Sequence, residues 1–167
     1  MVIRFKSNQN NKLRESVEDL NVKDVWYKYF DGTFDSVDNI CKILGTTRKG
    51  ITEAYIPNGV TRIGDWAFED CTSLKNITIP NSVTRIEDHT FSTCESLTSI
   101  TIPDNVREIG FGAFFQCDSL TSVTIPDSVT RIGSLAFVQC PSLKSVTIGN
   151  GVTKIGMDAL EIGRAHV

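Results

Sequence analysis

Most of what a 167-residue chain would need for membrane insertion or catalysis is missing from this sequence. No apolar run approaches the 18 or so residues of a membrane-spanning helix. No block of five or six like charges appears, and the formal net charge is only −3 with a pI near 5.4, so a strongly basic surface for nucleic acid is not expected. The mild asymmetry runs from 9 Lys/Arg against 7 Asp/Glu in residues 1–50 to 8 against 13 in residues 51–167. Histidine occurs twice, at His89 and His166. There is no Gly-rich phosphate loop, no G-x-S-x-G elbow, no CxxC pair and no metal-spaced His/Asp cluster. The start, Met1-Val2-Ile3-Arg4-Phe5-Lys6, lacks the apolar stretch of a secretory leader. These absences lead us to expect a non-enzymatic chain with no cofactor and no catalytic or metal-ligating residues, located in the cytoplasm; a missing true N-terminus would leave a secreted or surface location open.

What the sequence does have is a period. Segments opening at Ile51, Leu74, Leu97, Leu120 and Leu143 lie 23 residues apart and align without insertion, four complete and the fifth broken off. A typical unit begins Leu120-Thr121-Ser122-Val123-Thr124-Ile125-Pro126. Its β-branched alternation predicts a strand with Val123 and Ile125 on one face and Ser122 and Thr124 on the other. Proline cannot donate to a ladder, so Pro57, Pro80, Pro103 and Pro126 mark strand ends. Turn dipeptides follow: Asn58-Gly59, Asn81-Ser82, Asp104-Asn105, Asp127-Ser128 and Asn150-Gly151. Between Gly133 and Cys140 the spacing of Ala136, Phe137 and Cys140 predicts one or two short helical turns.

A single unit cannot bury its own apolar face, but stacked units place like residues over like. The expected core is four columns: Ile56/79/102/125/148, Val60/83/106/129/152, Ile63/86/109/132/155 and Phe68/91/114/137. Cys71, Cys94, Cys117 and Cys140 fall in one further column, with Cys41 outside the array, and are expected as buried free thiols.

The unit of strand, Pro, turn, Ile-Gly, Ala-Phe, Cys and Ser-Leu resembles the BspA-like leucine-rich repeat family over residues 51 to about 160. Ile51 for Leu, Glu87 for Gly, Thr90 for Ala and Gly149 for Pro depart from the pattern without breaking its register. The resemblance implies an α/β, β-rich, right-handed leucine-rich repeat solenoid. It would carry a parallel β-sheet on its concave face, with the helical turns outside. The implied role is a protein-interaction scaffold taking a protein or glycan partner.

Residues 1–50 are expected as a tail and a helical N-terminal cap, with a short helix over Lys12–Leu20, the aromatic run Val25-Trp26-Tyr27-Lys28-Tyr29-Phe30 and a helix over Ser36–Gly45. The final residues, Ile162 to Val167, resemble the translation of a sequencing-library adapter. Residues 161–167 are therefore expected to be a non-native tail of a truncated array, with further repeats in the natural protein. An uncapped last repeat would also permit end-to-end association of copies.

The partner-binding candidates on the concave sheet are Glu53, Tyr55, Asn76, Thr78, Ser99, Thr101, Ser122, Thr124, Ser145 and Thr147, flanked by Lys75 and Lys144. Ordinary strand propensity also explains threonine there. An ice-binding role for the threonine array is disfavoured by the curvature expected of a solenoid. A weaker outer patch comprises Trp66, Phe111, Phe115, Leu135 and Val138. The stripe Arg62, Arg85, Glu108, Arg131, Lys154 reads as a solvated edge in which Glu108 relieves repulsion. Two alternatives compete with the scaffold. Ile40-Cys41-Lys42-Ile43-Leu44-Gly45-Thr46-Thr47-Arg48-Lys49-Gly50-Ile51 resembles the turn of a helix-turn-helix, although its second helix would need Ile51 to Tyr55 and meet Pro57. The chain could otherwise be an accessory module of a larger enzyme.

Overall fold

The computed structural model describes residues 6–7, 33–34, 38, 47–56 and 58–161. Every strand of the repeat array pairs in parallel with its equivalent one period away, as the columns require. The first wall contains β3 (Ile51–Tyr55), β5 (Asn76–Thr78), β7 (Ile100–Thr101), β9 (Ser122–Ile125) and β11 (Ser145–Ile148). Val123 pairs with Val146 and Ile100 with Val123, a step of one repeat each time. Hydrogen bonding divides this wall into β3–β5 and β7–β9–β11.

A second parallel wall is formed by β4 (Arg62–Ile63), β6 (Arg85–Ile86), β8 (Glu108–Ile109), β10 (Arg131–Ile132) and β12 (Lys154–Ile155). Its strands are two residues long, too short to show alternation, so this wall has no signature in the sequence pattern. Between the walls, the prolines end the first strand and accept the bond that closes the turn: Val83, Val106 and Val129 donate their N–H groups to Pro80, Pro103 and Pro126 O.

The helical turns expected on the outer side do not form, and the backbone shows why. Each outer segment of the first four coils enters left-handed φ at two positions four residues apart, as at Trp66 (φ 54°) and Asp70 (φ 57°), or Leu135 (φ 57°) and Gln139 (φ 58°). Successive N–H groups then alternate between partners. Trp66, Phe68 and Asp70 donate to Asp88, Thr90 and Ser92 of the next coil, while Ala67, Glu69 and Cys71 donate to Gly64, Trp66 and Phe68 of their own. Left-handed backbone costs a non-glycine residue roughly 1–2 kcal/mol; here it aims three N–H groups in each of the first three coils at the neighbouring coil. The outer side is thus a third hydrogen-bonded wall.

Of the described residues before Ile51, β1 (Lys6–Ser7) pairs antiparallel with β3, β2 (Thr33–Phe34) pairs parallel with β4, Asp38 is helical and Arg48–Gly50 form a 3-10 turn. The helix over Lys12–Leu20, the aromatic run Val25–Phe30, all of Ser36–Gly45 except Asp38, and the tail from Ile162 lie outside the described residues.

The four core columns are buried in the first four coils. In the fifth coil Ile148 and Ile155 are exposed and Val152 is half-buried, because no described coil lies over them. Phe68, Phe91, Phe114 and Phe137 form one stack with ring centroids 5.4, 5.4 and 5.1 Å apart. Coil-to-coil closeness explains the glycine column: a Cβ on Gly133 would lie 2.5 Å from the Gly110 carbonyl carbon. No helix among the described residues is long and apolar enough to cross a membrane.

Candidate functional site

The pleat of the first wall turns Val123 and Ile125 into the core and Ser122 and Thr124 outward, as the alternation predicts. Pairing then sets these hydroxyls in rows. Thr101 lies beside Thr124, Thr124 beside Thr147 and Ser122 beside Ser145, with neighbouring strands about 4.8 Å apart. Asn76, Thr78, Ser99, Thr101, Ser122, Thr124, Ser145 and Thr147 are all exposed. Glu53 and Tyr55 are half-buried and in register with Asn76 and Thr78. The structure therefore places all ten sheet candidates on one face. Where that face meets the turns, a shallow groove of about 650 Å³ is lined by Asp104, Thr124, Asp127, Thr147 and Asn150 among others. It spans three coils and lies beside Gly149, the position where proline is replaced.

The outer patch is only partly as expected. Trp66 and Phe111 are exposed, Phe115 and Leu135 are half-buried, and Val138 is buried and so presents no surface. The sequence reading missed His89 as a member of this cluster. Its ring stacks on Trp66 at 6.0 Å and meets the edge of Phe111 at 5.1 Å. Gly112 makes room for it, since a Cβ there would lie 2.7 Å from His89 Cε1. A repeat offset of 23 from Trp66 to His89 was the available signal.

The charged stripe is the outward row of the second wall, and Glu108 is not its main counterion. Glu87, at the glycine column, is almost completely buried and accepts Arg62 Nε at 2.8 Å and Arg85 Nε at 2.7 Å on its two carboxylate oxygens. Glu108 lies at 3.5 Å from Arg85 Nη1.

The helix-turn-helix alternative fails on geometry. Ile51–Tyr55 is strand β3, and Arg48–Gly50 is a single 3-10 turn. The Arg48 guanidinium grips the Asp38 carboxylate at 2.8 and 2.9 Å and donates to Trp66 O and Glu69 O at 3.0 and 2.8 Å. It clips the N-terminal segment to the first coil's outer wall.

The four array cysteines are buried free thiols. Cys94, Cys117 and Cys140 each donate an S–H to the carbonyl of the phenylalanine in the preceding coil, at 3.3, 3.3 and 3.1 Å. Burial pushes the Cys94 thiol well up, and the neighbouring Cys140 thiol together with burial does the same to Cys117. Because the thiolate is the nucleophile, the folded chain should resist alkylation by iodoacetamide at pH 8 at these positions, whereas the urea-unfolded chain reacts fully. At Cys94 the upward shift also fixes a sign: above the ordinary thiol range near 8.5 the unfolded chain releases a proton that native Cys94 retains, so the Cys94 contribution to stability should fall as pH rises from there. Rapid labelling of Cys94 in the native state would contradict both statements.

Among the described residues, no group of three or more His, Cys, Asp or Glu is placed to hold a metal ion. The hydroxyl and amide groups of the first wall can exchange hydrogen bonds with a ligand but make poor acid-base material.

Comparison with known proteins agrees with this geometry. A family model described as a BspA type leucine rich repeat region matches residues 47–162 in six copies. A crystal structure of a leucine-rich repeat protein from Bacteroides ovatus is 41% identical with a TM-score of 0.62, over 65% of this chain and 28% of that one. A leucine rich cell surface protein from Faecalibacterium prausnitzii is 34% identical with a TM-score of 0.56, over 58% of this chain and 26% of that one. The T. pallidum leucine rich repeat protein is 31% identical with a TM-score of 0.60, over 65% of this chain and 61% of that one. No curated protein matches. This chain thus spans about a quarter of the first two relatives. With 116 consecutive residues under the family model and an in-register parallel solenoid beneath them, the chain belongs to the BspA-type leucine-rich repeat family.

Proposed function

We propose that this chain is part of a non-enzymatic interaction scaffold whose first wall takes a protein or glycan partner. The observation that supports this reading is the exposed, in-register set of hydroxyl rows through Thr101, Thr124 and Thr147, bordered by the Asp104–Asn150 groove. Such a face offers many weak, directional contacts on a preformed surface, so little conformational entropy is lost on binding. The apolar patch around Trp66 and Phe111 supports a second docking surface on the outer wall, since exposed large aromatics are enriched at interfaces.

The two surfaces are separable by substitution. The chain is tested against arrayed glycans and arrayed soluble proteins as wild type, as Thr101→Arg/Thr124→Arg and as Trp66→Ala/Phe111→Ala. The first-wall reading expects the arginine variant to lose at least about tenfold in affinity, roughly 1.4 kcal/mol, while it still folds cooperatively. Retained binding in that variant, with loss in the aromatic one, would transfer the function to the outer wall.

A further inference from the structure

We propose that Asn150 is a modification site, converting spontaneously to aspartate and isoaspartate at a rate set by the fold. Two Asn-Gly pairs occupy the same repeat column, Asn58-Gly59 and Asn150-Gly151, and both asparagines are exposed. The chemistry is the same at each. The glycine backbone nitrogen gives up its proton to solvent base and attacks the asparagine Cγ. The new C–N bond closes a succinimide, and the C–NH2 bond breaks to release ammonia. Water then adds to either imide carbonyl, giving the ordinary or the β-linked aspartate. No oxidant or reductant is involved.

The environments differ at the attacking atom. Gly59 N–H donates to Ser82 Oγ of the next coil at 3.2 Å, so its nitrogen must leave a hydrogen bond before it attacks. Gly151 N–H has no acceptor among the described residues. The surrounding turn is nevertheless held, because Asn150 N–H donates to Asp127 Oδ1 at 2.7 Å. Both asparagines are exposed, Gly59 is exposed and Gly151 half-buried, so the hydrogen bond at the attacking nitrogen is the difference that favours Asn150.

The products have unequal consequences. Asp104 and Asp127 already occupy this column, so an ordinary aspartate at 150 suits the turn and adds one negative charge beside the Thr147 row. The β-linked product inserts a methylene into the main chain where Gly151 lies against Asp127 O, a contact so close that no Cβ fits. That product must displace the fifth coil.

The test is incubation of the 167-residue chain at neutral pH, followed by tryptic digestion and mass spectrometry of Gly50–Arg62 and Ser145–Lys154. Asn150 should convert about fivefold faster than Asn58, the factor that one net hydrogen bond makes in a rate. In urea the two rates should converge. Ser82→Ala should raise the Asn58 rate about fivefold and leave Asn150 unchanged, which also reports that the variant is folded. Equal rates in the native chain, or no response of Asn58 to Ser82→Ala, would overturn the assignment.

Discussion

Phe114→Ala is expected to lower the unfolding free energy by about 3–5 kcal/mol, read as a shift of the urea midpoint at constant slope. Phe114 is fully buried and stacks on both sides, against Phe91 at 5.4 Å and Phe137 at 5.1 Å. Truncation removes both ring contacts, each worth roughly 0.5–1.5 kcal/mol beyond burial, and leaves a void that rigid walls cannot close. The hydrogen-bonded second and outer walls fix the coil spacing on both sides of Phe114, so collapse into the void would strain both ladders at once. The Phe91→Ala/Phe114→Ala pair should cost less than the sum of its members, because the contact between the two rings is counted in both. A loss under about 1 kcal/mol for Phe114→Ala would mean that the column is not the array's mechanical centre.

How much of this was legible in the sequence depends on the length of each signal. Ile79, Ile102 and Ile125 recur with a fixed neighbour pattern, and the structure buries all three within one stack. The same holds for the phenylalanine and cysteine columns. Alternation in Ser122-Val123-Thr124-Ile125 correctly assigns the outward hydroxyls, since period two needs only four residues to show. Arg131-Ile132 gives no such handle, and the second wall became visible only through pairing between coils.

The outer segments failed for a different reason. Ala136, Phe137 and Cys140 have helical spacing because they share an inward face, and an alternating turn and ladder path produces that spacing as readily as a helix does. Nothing local in Leu135 or Gln139 announces left-handed φ; both are ordinary non-glycine residues whose backbone state is imposed by bonds to the coil beyond. Thr93, β-branched at φ 59°, shows the strength of that imposition. A local propensity was overruled by a non-local ladder, and such ladders are what repeat proteins have most of.

The charged residues carry the second large expectation, and here the direction of the asymmetry matters more than the sum. Glu87 is the residue that breaks the glycine column, and its carboxylate is taken out of water with only 6% of the side chain exposed. Its partners are not: Arg62 and Arg85 remain 53% and 48% exposed. Removing the carboxylate leaves two guanidiniums that water can still solvate, so Glu87→Gly, which restores the repeat's own residue, should cost less than about 1.5 kcal/mol. Removing both cations with Arg62→Met/Arg85→Met leaves a buried charge without compensation and should cost about 3–5 kcal/mol. Adding Glu87→Gly to that double variant should then recover most of the loss, because the stranded charge is gone and the methionines lie along the second wall. Urea unfolding of the four chains at one pH and ionic strength decides it. If Glu87→Gly proves the more damaging change, the carboxylate acts as a positive structural tie between coils, and the desolvation argument for its asymmetry is wrong.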